Sequence, residues 1–119
     1  AAATAFAMAG VGPADIDVAQ LYDCYTIVPL MTLEDYGFCR RGEAGRLAAE
    51  GGLALGGRWP LNTSGGLLSE TGMPGMQLII EAVRQMRGTS VNQVRGARTA
   101  IVSNQGGIMH THATLILAQ

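Results

Sequence analysis

The chain has 119 residues, 48% of them hydrophobic and 14% charged, which supplies one core and leaves too little length for two ordinary domains. The net charge is -1, and all eight basic residues are arginines scattered from Arg40 to Arg98, a pattern that excludes nucleic acid and anionic membrane as partners. No apolar stretch reaches the roughly 18 residues of a bilayer span, so a cytoplasmic protein without a membrane segment is expected.

In chain order, AAATAFAMAG is helix-prone and stops at Gly10, with Gly12 and Pro13 reinforcing the end. The chain thus starts inside an element, as if sequence upstream were missing. Ile16, Val18 and Leu21 predict a short buried strand, entered through Asp15 to Asp17 and finished at Tyr22. From Thr26 to Tyr36 the positions Ile27, Leu30, Met31 and Leu33 repeat at helical intervals, with Pro29 tolerable only in the first turn and Gly37 as cap. Between Gly37 and Gly66 the glycines are too dense for regular packing, although Glu43 to Glu50 suits a short helix. Met76 to Met86 gives an amphipathic helix with Arg84 and Arg87 in its last turn and Gly88 closing it. Met73, Met76 and Met86 read as packing residues of that stretch. Two apolar runs follow, RTAIVSN and THATLILA, both read as buried strands separated by a QGGIMH turn. This order predicts a single α/β layer with a mixed sheet over residues 1–119. A charged fraction well under the usual quarter or so of residues predicts that a partner subunit covers part of the surface.

Three segments, YDCY, NTSGG and SNQGG, fall at or near strand ends, where α/β layers place their ligands. Glycines there either make turns or let backbone amides approach a developing oxyanion, and the sequence leaves both readings open. The candidates for substrate binding are Ser64, Gly65, Gly66, Asn104, Gly106 and Gly107. Tyr22 offers a phenol for proton transfer or simply a packing ring, and Tyr25 reads as packing beneath it. His110 and His112, two apart, would share one face of the last strand, with His110 a candidate acid or base and His112 a core histidine. No third ligand accompanies them, so no metal is expected. Cys24 and Cys39 read as buried thiols, and Ser64 lacks the context of a hydrolase nucleophile.

The blocks DVAQLYDCYT, LEDYGFCRRGEAG, GGRWPLNTSGGLLSETGMPG, QLIIEAVRQMRG and GARTAIVSNQGG together resemble the C-terminal half of the thiolase superfamily. They are most similar to sterol-carrier-protein-type thiolases and lipid-transfer aldolases that cut steroid side chains. The resemblance implies a βαβαβαββ layer, truncated at its start, that packs on an N-terminal thiolase half or partner subunit in a homo- or hetero-oligomer. It implies an acyl-CoA thioester as substrate and no other cofactor. Where the sterol-carrier type has a catalytic histidine this chain has Tyr22; the second family histidine falls on Gly72 or Met73, and the Cys-x-Gly signature on Asn104, Gln105 and Gly106. Thiolysis without these groups is not expected, whereas retro-aldol cleavage needs only a base and an enolate donor. Tyr22 would then be the acid or base and His110 its assistant, since Ile108 stands where the aldolases often carry a second tyrosine. The alternatives are a degenerate subunit that binds lipid or acyl-CoA, and an acyltransferase whose catalytic groups come from the missing half.

Overall fold

The computed structural model describes residues 1–70, 75–107 and 109–119. Among these, three strands form one mixed sheet in the order β1-β2-β3. β1 (Val18–Leu21) runs parallel to β2 (Thr99–Gly106), and β2 runs antiparallel to β3 (Thr111–Ala118). Alternation along β1 and β2 sorts their side chains to two faces. Ala19, Leu21 and Ile101 meet Ala2 and Phe6 of α1 (Ala2–Ala9) and Leu33 of α2 (Ile27–Asp35). Val18, Ala100 and Val102 meet Leu78, Ala82 and Met86 of α5 (Met76–Arg87) on the other face. The expected α/β layer, a mixed sheet with helices on both faces, is therefore the observed one.

The βαβαβαββ order is present in part, and what lies beside β1 shows why. There the chain makes a single bridge, Leu61 with Ala19. Ala19 N–H donates to Pro60 O and Asn62 N–H to Ala19 O, each at 2.9 Å. One residue further the backbone turns away, and the Asn62 side chain completes the ladder. Its Oδ1 accepts from Leu21 N–H and its Nδ2 donates to Leu21 O, both at 2.8 Å. Asn62 holds φ 48°, a left-handed conformation that asparagine tolerates better than most residues.

The helices follow the sequence signals closely. α5 begins after Gly75 and ends on Gly88, whose left-handed φ of 69° lets its N–H reach Arg84 O. α3 (Ala44–Ala49) lies where a short helix was expected. Glu34 Oε1 accepts from Ala44 N–H at 3.0 Å and ties α3 to α2. Hydrogen bonds from the Gly42 and Ala44 amides hold the Glu34 carboxyl below the usual glutamate range. At the end of α2, the Tyr36 hydroxyl contacts Ser103 Oγ at 2.7 Å and Thr114 Oγ1 at 2.8 Å, joining the helix to two strands.

Five expectations are corrected. β3 is not buried: it is an edge strand with a neighbour on one side only, and Leu115 remains 44% exposed. β2 does not stop at Asn104; Gln105 pairs with His112 and Gly106 with Thr111, so the strand runs into the segment expected to be a turn. A one-turn helix that the sequence did not announce, α4 (Gly66–Ser69), begins where the irregular stretch ends. Cys24 is exposed because it sits in the bend after β1, and only Cys39 is partly buried; burial and the nearby Glu34 and Glu43 charges raise its thiol pKa. Met76 faces solvent at the start of α5, whereas Met86 is buried against the sheet; Met73 lies outside the described residues.

Candidate active site at the carboxyl ends of the parallel strands

Because β1 and β2 are parallel, their carboxyl ends open at the same edge of the sheet. Tyr22 follows β1 directly, and its N–H donates to Ser103 O at 2.9 Å, which carries the ladder one residue beyond the strand. The next residue, Asp23, is 4% exposed and turns back toward the NTSGG loop. Its Oδ1 accepts from Leu67 N–H at 2.8 Å, and its carboxylate occupies the place where a Cβ on Gly66 would stand. Gly66, at φ 67°, is thus required both by its backbone and by the neighbouring carboxylate. From the third segment, Asn104 Nδ2 donates to Gly75 O at 3.2 Å, and the amide fills the space that a side chain at Gly75 would take. YDCY, NTSGG and SNQGG converge.

A cavity of about 490 Å³ opens between the start of α2 and the end of β2, lined among others by Tyr22, Ile27, Met31, Gln105, Gly106 and Gly107. Its size and mainly apolar lining are those of a small-molecule site. A recess of about 190 Å³ lies against Asp23, Leu67 and Leu68, and Tyr22 lines both hollows. No described residue donates to or accepts from the Tyr22 hydroxyl. A larger, open cleft of about 600 Å³ lies at the opposite end of the strands, beside Asp17, Arg58 and Arg95, and holds none of the residues singled out from the sequence. Ligands in open α/β sheets bind at the carboxyl end, which favours the Tyr22 cavity.

The polar groups around this end are incompletely paired. Ser64 Oγ, Asn104 Oδ1 and Gln105 Oε1 are buried without a hydrogen-bond partner among the described residues. A buried polar atom left unpaired costs about 1–3 kcal/mol, so such atoms cluster where another molecule completes them. Thr63, next to Ser64, is saturated instead: its hydroxyl donates to Glu81 Oε1 at 2.6 Å and accepts from the Gln20 and Gln85 amides. That network anchors the NTSGG loop to β1 and α5.

The other expected residues are distributed unevenly. Gly106 and Gly107 border the cavity, but the Gly65 N–H is spent inside its own bend, donating to Asn62 O at 2.8 Å. His110 and His112 do not share a strand face: His110 lies in the turn before β3, and both are exposed. Nor is His112 a core residue, since its Nε2 lies 3.0 Å from Met109 O at the surface. His110 is not among the described residues that line the Tyr22 cavity. Among the described residues no group of three potential ligands could hold a metal. Tyr25 does not pack beneath Tyr22; it is 72% exposed at the cavity's border, because the chain bends outward after Asp23. Gly72, Met73 and Ile108, the positions that matter to the family comparison, lie outside the described residues. Asp23 and Gln105 were not singled out from the sequence. Gln105 stood in SNQGG and at the middle of the Cys-x-Gly position, and Asp23 in YDCY, but neither position assigned the side chain a role.

A family model described as Thiolase C-terminal domain-like matches residues 1–119. The chain is 47% identical over 103 residues to a 17-hydroxy-3-oxo-4-pregnene-20-carboxyl-CoA lyase of Mycobacterium tuberculosis, covering 87% of this chain and 27% of that protein. It is 48% identical over 103 residues to a steroid side-chain-cleaving aldolase of Thermomonospora curvata, covering 87% and 26%. Among solved structures, a chain of the Ltp2-ChsH2(DUF35) aldolase superposes with a TM-score of 0.92 at 45% identity, over 98% of this chain and 30% of that one. The chain therefore spans about a quarter of the length of these curated relatives.

Proposed function

The chain belongs to the thiolase C-terminal domain-like family, and from that premise we propose that it supplies the Tyr22 side of the active site in a carbon–carbon lyase acting on an acyl-CoA thioester. The observation that carries this reading is the position of Tyr22. It borders an apolar cavity together with Gly106 and Gly107 while also packing against the core under α5, at the end of the sheet where ligands bind, in a chain whose near relatives are named as aldolases and lyases.

In retro-aldol cleavage a base takes the proton of the β-hydroxyl, and the Cα–Cβ bond breaks as the new carbonyl forms. The electron pair passes to Cα and spreads onto the thioester oxygen as an enolate, which is then protonated at Cα. A phenol serves either proton transfer, and nothing in this sequence of steps needs a thiolate. The backbone amide of Gly107, one residue beyond the last β2–β3 pair and at the border of the cavity, would face the thioester oxygen, the role in which preorganised donors contribute most. Gly65 does not share that role, because its amide is already engaged. His110, exposed in the turn, is not needed as a base in this scheme. The remainder of the active site would come from an N-terminal half or a partner subunit, consistent with the fraction of its relatives that the chain spans.

The test is turnover by the intact protein of a β-hydroxyacyl-CoA, compared with thiolysis of a β-ketoacyl-CoA plus CoA. Cleavage of the first is expected, with Tyr22→Phe lowering kcat by about 100-fold, the usual scale of a lost acid or base. Thiolysis at comparable rate, or indifference to Tyr22→Phe, would overturn the assignment. Binding of both thioesters without any product would identify a carrier instead.

A further inference from the structure

Among the described residues, Gln105 is the one polar side chain bordering the Tyr22 cavity that is both buried and half-paired. It is 8% exposed and projects from β2 toward α2, where its Nε2 donates to Thr32 Oγ1 at 3.2 Å. The Thr32 hydroxyl has a single proton, and that proton is directed to Val28 O at 2.9 Å, one helical turn back. Thr32 Oγ1 can therefore only accept from Gln105. This polarity fixes which end of the amide faces the helix, and it leaves Oε1 as a buried acceptor with no partner. The cavity that Gln105 borders is lined by Ile27, Val28 and Met31, which have no side-chain donor, and by Tyr22, Cys24 and Tyr25, none of whose donors reaches Oε1.

The geometry points to Gln105 as the residue that recognises the hydroxyl of a β-hydroxyacyl thioester: its side-chain carbonyl, oriented by Thr32 at the border of an apolar cavity, accepts a hydrogen bond from that hydroxyl. This inference rests on the lyase reading for its choice of substrate class. A site built to pair with a hydroxyl discriminates against the analogue lacking it, because the protein's own polar atom is then left unpaired. Gln105 is a specificity-determining residue in this account; the proton itself is handled by Tyr22.

Binding alone tests it. Two CoA thioethers, in which CH2 replaces the thioester carbonyl, cannot undergo cleavage; one carries the β-hydroxyl and the other hydrogen at that position. With the intact protein, calorimetry is expected to show the hydroxylated thioether binding about tenfold or more tightly. Gln105→Met, close in size and without the acceptor, should bring the two affinities within about twofold while the deoxy thioether binds as before. Thr32→Val provides the second variant: it frees the amide to rotate and should reduce the preference about threefold or more. Equal binding of both thioethers by the native protein, or an undiminished preference in either variant, overturns the inference. Loss of the preference in Gln105→Met together with no cleavage of any β-hydroxyacyl-CoA supports Gln105 and sinks the lyase reading. Cleavage without a preference does the reverse.

Discussion

Thr63 and Ser64 are neighbours in one loop, each with a hydroxyl turned into the protein, and the fold treats them oppositely. Thr63 Oγ1 makes three hydrogen bonds, to Glu81, Gln20 and Gln85. Ser64 Oγ makes none. The same contrast separates two glutamines. Gln85 spends its amide on Thr63, Glu81, Asn92 O and Val94 N–H, whereas Gln105 is held at one end only. Polar groups saturated by their own chain serve the scaffold, and those left short stand at the end of the sheet where the cavity opens. Gln20 Oε1 and Trp59 Nε1, also unpartnered, are the exceptions that this division does not account for.

The most severe way to break the comparison is Thr63→Val, which keeps the shape and removes the hydroxyl. Glu81 and two amides then lose their shared partner, and urea unfolding should show a loss of about 3 kcal/mol. Ser64→Ala, by contrast, removes an atom that has no partner to lose and should shift stability by no more than about 0.5 kcal/mol. A loss at Ser64 as large as that at Thr63 would show that both hydroxyls are structural. The smallest effect extends the rule to charge. Glu34 is saturated by the amides of the α2–α3 connection, which lower its folded pKa below the unfolded 4.5. Its contribution is therefore complete above the unfolded value and disappears as pH falls through the folded one. Glu34→Gln should be slightly less stable than the native protein at neutral pH, and the two acid-unfolding curves should merge at the acid end.

What could be read in the sequence was what short-range chemistry decides. α5 was legible from its period and its closing glycine, and β1 from an apolar run between turn residues. The convergence of YDCY, NTSGG and SNQGG followed from the rule about strand ends, and the fold bears it out through Asp23 against Gly66 and the Tyr22 N–H on Ser103 O. The Thr63 network was illegible, because its members come from β1, the NTSGG loop and α5, and nothing local links them. The exposure of β3 was equally hidden. An apolar run states that cover is favourable without stating what provides it, and here a strand reads as core while standing at an edge. The histidine pair failed for a smaller reason: β3 begins only at Thr111, so His110 stays in the turn, which the extension of β2 through Gln105 and Gly106 shortens without moving its end.

The parallel pairing of β1 with β2 has a consequence for how the chain is made. Val18 pairs with Ala100, so the whole segment between them must leave the ribosome before β1 meets that neighbour. The other flank closes earlier, since Pro60 to Asn62, about midway between Val18 and Ala100, can dock on Ala19 and Leu21 before β2 is made. Until β2 has emerged, one flank of β1 stays open, the interval in which such nascent chains are most exposed to mispairing and to chaperones.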